Sequence, residues 1–411
     1  MNKIMEEGNN NKSKKALFLV LTIIFLTDDT LLFGTNKNDL FVYGKYFIYI
    51  IILLLTVLFS AKNIVSKSNF NGIITILVLI LILFLSTIIN NDFKTGTLVY
   101  AITFFTGIAI VQNISFPVFT KLYSKIMYFL AFFSLIVYTI NLISPDLISI
   151  FPTISNYGDV EYKFVLFSNT FNGFNEFRNT GIFREPGVYV IHLIFAVFFE
   201  VFFIKSSKLN YRKLLIFVLA ILTTLSTTGI LLLPVILIIY FIKNSNLKNA
   251  FFIFGISMFF VFILNYFPEL NDKVFSKLTQ DGAEYESSLA RLSSFLTPLY
   301  IIKDNMIFGS GLSNFVTYYS YYSRSIFGIE FLAESAATNT ILNLTAVYGI
   351  IYGLIITILL FRASKLIEKK YYIIVFILML LLFSSQELKF SLFFNVLLGY
   401  GLYFNKQKDF S

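Results

Sequence analysis

The chain has 411 residues, 57% of them hydrophobic and only 13% charged, about half the charged fraction of a soluble globular domain, so a soluble domain is excluded. Without Cys there are no disulfides, thiol chemistry or Cys/His zinc sites, and the single His, His192, rules out a His-rich metal site. The formal charge of +9 is spread as Lys and Arg over short loops with no long basic stripe, so no nucleic-acid partner is expected.

In chain order, apolar runs fall near 16–34, 42–60, 70–89, 96–112, 124–143, 187–204, 213–227, 229–242, 249–266, 336–361, 371–384 and 390–404. They are unbroken for about 15 to 20 residues, which is helix length and not the ten-residue alternation of a membrane barrel. The predicted fold is an all-α polytopic membrane protein, a single integral membrane domain over 1–411 with about twelve transmembrane helices. Met1 to Lys15 is polar and no small-residue cleavage pattern follows the first run, so the first helix is expected to be retained. Lys3, Lys12, Lys14 and Lys15, then Lys62 and Lys67, Lys121 and Lys125, Lys205, Lys208, Arg212 and Lys213, and finally Lys406 and Lys408 fall in alternate loops. By the positive-inside rule both termini are cytoplasmic. Two long loops then lie outside, 144–185 and 267–335, and long ordered loops between short-looped helices are commonly lids or binding elements.

The first loop ends in Arg178-Asn179-Thr180-Gly181-Ile182-Phe183-Arg184-Glu185-Pro186-Gly187. Proline suits the first turn of a helix and disfavours helical geometry before it, so Glu185 is predicted at a helix entrance. Backbone N–H groups there carry partial positive charge, and Arg178 and Arg184 add bidentate donors, a combination suited to a phosphate or diphosphate. Pairing with loop charges or lipid headgroups is the competing reading. His192, about two turns into the same helix, reads as a hydrogen-bonded structural residue ahead of a catalytic one.

The run from Lys213 to Ile242 is too long for one span and is predicted to break at Ser226-Thr227-Thr228-Gly229, where hydroxyls cap and Gly permits a turn. The break is either a tight capped turn or the floor of a polar cavity. In the second loop, Glu284, Glu286, Ser287, Ser288 and Arg291 lead into Leu289, Leu292, Phe295, Leu296 and Leu299, spaced as an amphipathic interfacial helix. Arg291 either completes an anion site or snorkels at the surface. Phe308-Gly309-Ser310-Gly311 marks a turn after that helix. Tyr318, Tyr319, Tyr321 and Tyr322 suit interfacial anchoring or stacking on sugars. Glu334-Ser335-Ala336-Ala337-Thr338-Asn339 closes the loop, with Asn339 facing solvent or a cavity.

The Gly-Ile-Phe-Arg-Glu-Pro element at 181–186 after an Arg, the Thr/Ser-rich hairpin, the many spans and the large late outer loop resemble the bacterial Wzy-type O-antigen and capsular polysaccharide repeat-unit polymerases of the O-antigen polymerase/ligase superfamily. The likeness covers most of the chain as architecture; its motif is short. It implies a glycosyltransferase-C-like fold that joins undecaprenyl-diphosphate-linked oligosaccharide repeat units at the outer face of the bacterial cytoplasmic membrane, with no cofactor and no metal. It further implies membrane lipid, a chain-length regulator and a flippase as partners. On that resemblance Arg178, Arg184 and Arg291 are the candidates for the donor diphosphate, Glu185 and Glu334 for the catalytic carboxylates, and Asn339, Tyr318 and Tyr319 for sugar contacts. Ligases of the superfamily usually carry an Arg just after the hairpin Ser and a His near the end of the large loop; here Thr227-Thr228-Gly229 and Thr338-Asn339 stand in those places, which favours a polymerase. A lipid-linked oligosaccharide flippase is the competing class, with ionisable residues expected at mid-span and internal repeats. A non-enzymatic scaffold would leave the Arg/Glu cluster without a role.

Overall fold

The computed structural model describes residues 2–64, 70–171, 178–203, 210–243 and 285–404. The span expected at 249–266, the 267–284 part of the second loop, and Lys67, Lys205, Lys208, Lys406 and Lys408 lie outside them. Among the described residues, six helices are long and apolar enough to cross a membrane, and Thr227–Tyr240, Tyr372–Ser384 and Leu392–Leu402 are shorter apolar helices. The chain is an all-α polytopic membrane protein.

Its amino-terminal half consists of α1 (Asn2–Phe25), α2 (Asp39–Ile64), α3 (Phe70–Ile89), α4 (Thr95–Asn113) and α5 (Phe116–Ile143). Helix α1 stops short of the expected 16–34 run because polar side chains of Thr27, Asp28, Asp29 and Thr30 follow it, and the chain then makes a π-helical turn at Leu31–Thr35. Lys45 of α2, buried, meets Asp28 Oδ1 at 2.8 Å. A short α6 (Pro145–Ser149) leads into a three-stranded antiparallel sheet, β1 (Thr153–Ser155), β2 (Glu161–Val165) and β3 (Ser168–Phe171), in the order β1-β2-β3. Register is set by Ile154 opposite Tyr162 and Phe164 opposite Asn169. Among the described residues this small sheet is a departure from helix that the sequence pattern does not signal.

The centre of the protein is α7 (Pro186–Phe198), continued by a π-helical turn at Phe199–Phe203. Buried residues make up 78% of its apolar window, against 28% for Gly72–Ile89. A helix that is hydrophobic all round and enclosed is a core helix, whereas one exposing a broad apolar face in a membrane protein turns that face to lipid. Ring contacts of Phe195 with Phe383 and Phe393, at 5.6 and 4.9 Å, fasten α7 to the carboxy-terminal helices.

The 213–242 run is two helices, α8 (Tyr211–Thr223) and α9 (Thr227–Lys243). The break lies at Thr224–Ser226, just before the position expected, and Leu225 carries the positive φ of 51°. Gly229 serves packing instead of turning: a Cβ there would run into Val190 and Ile221 side chains. Beyond it come α10 (Tyr285–Asp304), α11 (Gly311–Phe327), α12 (Ala333–Ala336), α13 (Thr340–Tyr348), α14 (Ile350–Ile367), α15 (Tyr372–Ser384) and α16 (Leu392–Leu402). The single span expected at 336–361 is thus divided at Gly349 (φ 91°). The 305–311 turn reaches into that division: Ser310 N donates to Ala346 O and Ile350 N to Met306 O, both at 2.9 Å. On α10, Ser293, Ser294 and Thr297 are buried while Leu292, Phe295 and Leu299 are 48%, 42% and 48% exposed. The hydroxyl face packs on the protein and the apolar face points away from it, as suits a helix lying against lipid.

Candidate active site

At the entrance of α7 the backbone of Glu185 is extended (φ −148°, ψ 151°) and its carboxylate makes no cap bond to the helix. Proline at the next position excludes helical geometry there and leaves the first-turn N–H groups open toward anions. The preceding segment is fixed as a strand-like partner of the chain after α1. Leu31 N donates to Ile182 O at 3.1 Å, Arg184 N to Asp29 O at 2.9 Å, and Thr30 bridges Phe183.

Arg184 sends Nη2 to the Glu387 carbonyl at 2.8 Å. Its Nε is buried with no hydrogen-bond partner, and no carboxylate pairs with its guanidinium among the described residues. An unmet buried donor costs about 1–3 kcal/mol, and the same residue borders an open space. That space is a pocket of about 210 Å³ lined by Arg184 and Glu185, Ala290 and Arg291, the stretch Glu334 to Thr338, and Ser385, Gln386 and Glu387. Four separate parts of the chain converge on it: the entrance of α7, the start of α10, the α12–α13 turn, and the loop between α15 and α16.

Of the residues singled out from sequence, Arg184, Glu185, Arg291 and Glu334 line this one pocket. Arg291 Nη1 also donates to Thr227 Oγ1 at 3.1 Å, joining α10 to the first residue of α9. Glu185 and Glu334 are exposed, and among the described residues neither carboxylate has a hydrogen-bond partner. Arg178 is elsewhere: its Nε donates to Thr224 O at 3.0 Å, supplying a donor to a carbonyl at the end of α8. Asn339 is buried as the N-cap of α13, its Oδ1 accepting from Leu342 N at 3.0 Å, and does not line the pocket. Tyr319 is fully buried, with its hydroxyl 2.9 Å from Ser293 Oγ, and burial pushes its phenol up to about 12. Tyr318 stands edge-on to Tyr322. Neither tyrosine lines the pocket.

His192 is enclosed. Its Nδ1 is 2.7 Å from the Tyr123 hydroxyl and its Nε2 3.1 Å from Asp29 Oδ2, with Phe183 stacked 4.3 Å away. Both ring nitrogens are occupied by partners within the fold, as a structural imidazole requires.

Sequence reasoning missed the loop between α15 and α16. Glu387 Oε1 accepts from Lys389 Nζ at 2.7 Å and from Asn343 Nδ2 at 3.2 Å, so this carboxylate is held in place. Thr340 Oγ1 donates to Gln386 O and accepts from Leu388 N. The available signal was Gln386, Glu387 and Lys389 crowded into the few residues between two apolar runs, where a short loop would ordinarily be a plain turn.

The O-antigen ligase family model matches residues 214–357, about a third of the chain. The matched stretch begins in α8 and ends within α14, so it contains Arg291 and Glu334 but not Arg184, Glu185 or Glu387. No curated protein and no solved structure matches the chain. The match supports the O-antigen ligase and polymerase superfamily and a glycosyl-transferring role in polysaccharide biosynthesis at a membrane.

Proposed function

We propose that this protein polymerises undecaprenyl-diphosphate-linked oligosaccharide repeat units at the outer face of the bacterial cytoplasmic membrane, and that the pocket beside Arg184 is where the glycosidic bond forms. The observation that carries the reading is the convergence of Arg184, Arg291, Glu185 and Glu334 on one pocket at the entrance of a buried helix. In the reaction the acceptor hydroxyl oxygen bonds to the anomeric carbon of the donor, and the bond from that carbon to diphosphate breaks. The electron pair leaves with undecaprenyl diphosphate, and the hydroxyl proton passes to a carboxylate. Arg184, Arg291 and the N–H groups of α7 stabilise the charge that grows on the departing diphosphate. Glu334 and Glu185 are the carboxylates available to take the proton and to favour an oxocarbenium-like transition state. Glu387, already engaged by Lys389 and Asn343, holds the pocket wall.

The matched family, O-antigen ligase, supplies the second reading. Against it, Thr338-Asn339 stand near the place where ligases usually carry a His, and of the two Thr338 lines the pocket. No arginine follows the hairpin Ser226, and Arg291 of α10 donates to Thr227 there. The polymerase reading predicts that purified protein given only the glycolipid donor yields a ladder of chain lengths. A single transfer that requires an added lipid A–core acceptor would identify a ligase. Within the same assay, the carboxylate that takes the proton should lose about 10²- to 10⁴-fold in kcat on Glu→Gln replacement. We expect Glu334→Gln or Glu185→Gln to do so while the other loses less; full activity in both would remove Glu185 and Glu334 from the proton transfer.

A further inference from the structure

Bonded to the backbone of Arg184 is a buried polar constellation that the proposed chemistry does not use. Asp29 is 1% exposed and His192 fully buried. Three groups converge on one oxygen, Asp29 Oδ2: Ser391 Oγ at 2.5 Å, His192 Nε2 at 3.1 Å and Thr27 Oγ1 at 3.3 Å. An imidazole that donates from Nε2 and accepts the Tyr123 hydroxyl at Nδ1 satisfies both of its partners. The main-chain oxygen of Asp29 accepts from Arg184 N at 2.9 Å. Ser391 caps α16 through Phe394 N, Thr27 Oγ1 accepts from Leu392 N, and Ser391 N closes the preceding loop onto Leu388 O. One aspartate therefore ties together the two pocket walls that carry Arg184 and Gln386–Glu387.

A buried carboxylate gains little net stability over an apolar group of the same size. What it supplies is direction, because three donors aimed at one oxygen fix three chain segments at once. We infer that Asp29 is a positioning residue for the pocket, setting the spacing between the Arg184 wall and the 385–391 wall through the acceptor Oδ2. The inference rests on the polymerase reading for its catalytic readout, and on geometry alone for its structural one.

Because all three contacts fall on one oxygen, acceptor geometry and charge can be separated. Asp29→Asn keeps a carbonyl oxygen for Oδ2, whereas Asp29→Leu keeps only volume. With purified full-length protein and the lipid-linked repeat unit, kcat per folded molecule should fall about 10- to 100-fold in Asp29→Leu with KM within about 3-fold, as misplacement of reacting groups predicts. Asp29→Asn should stay within about 3-fold of wild type. The control is Glu200→Gln, which breaks the ion pair with Lys213 at the other end of the same helical segment; it should lower thermal stability and leave kcat per folded molecule unchanged. Backbone hydrogen exchange at 182–184 and 388–392 should accelerate in Asp29→Leu and remain as in wild type in Asp29→Asn. Wild-type kcat in the Leu variant, an Asn variant as impaired as Leu, or unchanged exchange in both would overturn the inference. Should wild type make no polymer, the polymerase reading fails by itself and the exchange data alone decide the role of Asp29.

Discussion

Replacing Arg184 by alanine is expected to reduce polymer formation by at least about 10²-fold, the cost of removing one preorganised donor from a developing anion, while the protein still folds. The activity loss follows from where the guanidinium sits. Its Nη2 is spent on the Glu387 carbonyl, which orients the group at the edge of the pocket that Arg184 lines. Folding survives because the backbone bonds of this segment, Arg184 N to Asp29 O and Leu31 N to Ile182 O, do not involve the Arg184 side chain. Arg184→Lys should recover little, since a point charge cannot reproduce a planar fork that bonds the wall and the ligand together. Initial rates of chain growth, normalised to the monodisperse protein peak, check both variants; an active Arg184→Ala would move the diphosphate site away from α7.

The second large effect concerns stability. Gly349→Ala is expected to destabilise the protein by about 3 kcal/mol or more, as the backbone of this residue (φ 91°, ψ 167°) lies in a region essentially restricted to glycine, worth about 1–3 kcal/mol by itself. The added Cβ would also run into the Ile307 carbonyl oxygen. Gly309 is the other half of the interlock: at φ 70°, with any Cβ meeting the Val347 carbonyl, it lets the 305–311 turn lie against the broken helix. Backbone freed by a helix break at membrane depth must find partners within the protein. Here Ser310 N serves Ala346 O, Ser86 Oγ serves Val347 O at 3.3 Å, and Asn90 Nδ2 serves Gly309 O at 3.2 Å. Thermal unfolding in detergent would show the loss. Gly44→Ala in α2 is the control: a Cβ there meets nothing within 4 Å, so a neutral change or a gain of about 0.5–1 kcal/mol is expected from helix propensity.

Local chemistry explains what was legible in the sequence. Pro186 dictates an extended Glu185 and a helix start, so the placement of Arg184 and Glu185 at the mouth of α7 could be read directly. A run too long for one span required a break between α8 and α9. The exact place of that break could not be read, because Gly229 is needed where Val190 and Ile221 press close, which leaves Leu225 to make the turn. For the same reason the division at Gly349 was hidden: a lone glycine in an apolar run gives no hint that a turn forty residues earlier will occupy the gap. Arg291 stood out at the edge of an amphipathic helix and Glu334 only through the family resemblance, and tertiary folding brings both to the pocket that Arg184 lines. Arg178 and Asn339 resembled binding residues but serve helix ends, a use that depends on neighbours distant in sequence. The wall at Gln386 and Glu387 was passed over because its loop is short, and short loops carry little pattern.

The most direct test of the central claim counts bonds made against lipid released. Purified protein in detergent, supplied only with the lipid-diphosphate-linked repeat unit, should produce a ladder and free one undecaprenyl diphosphate per added unit, and both signals should vanish together in Arg184→Ala. A ladder that persists in the variant would contradict the assigned site. No ladder from wild type, with the same glycolipid crossing proteoliposome membranes faster when the protein is present, would contradict the assigned function.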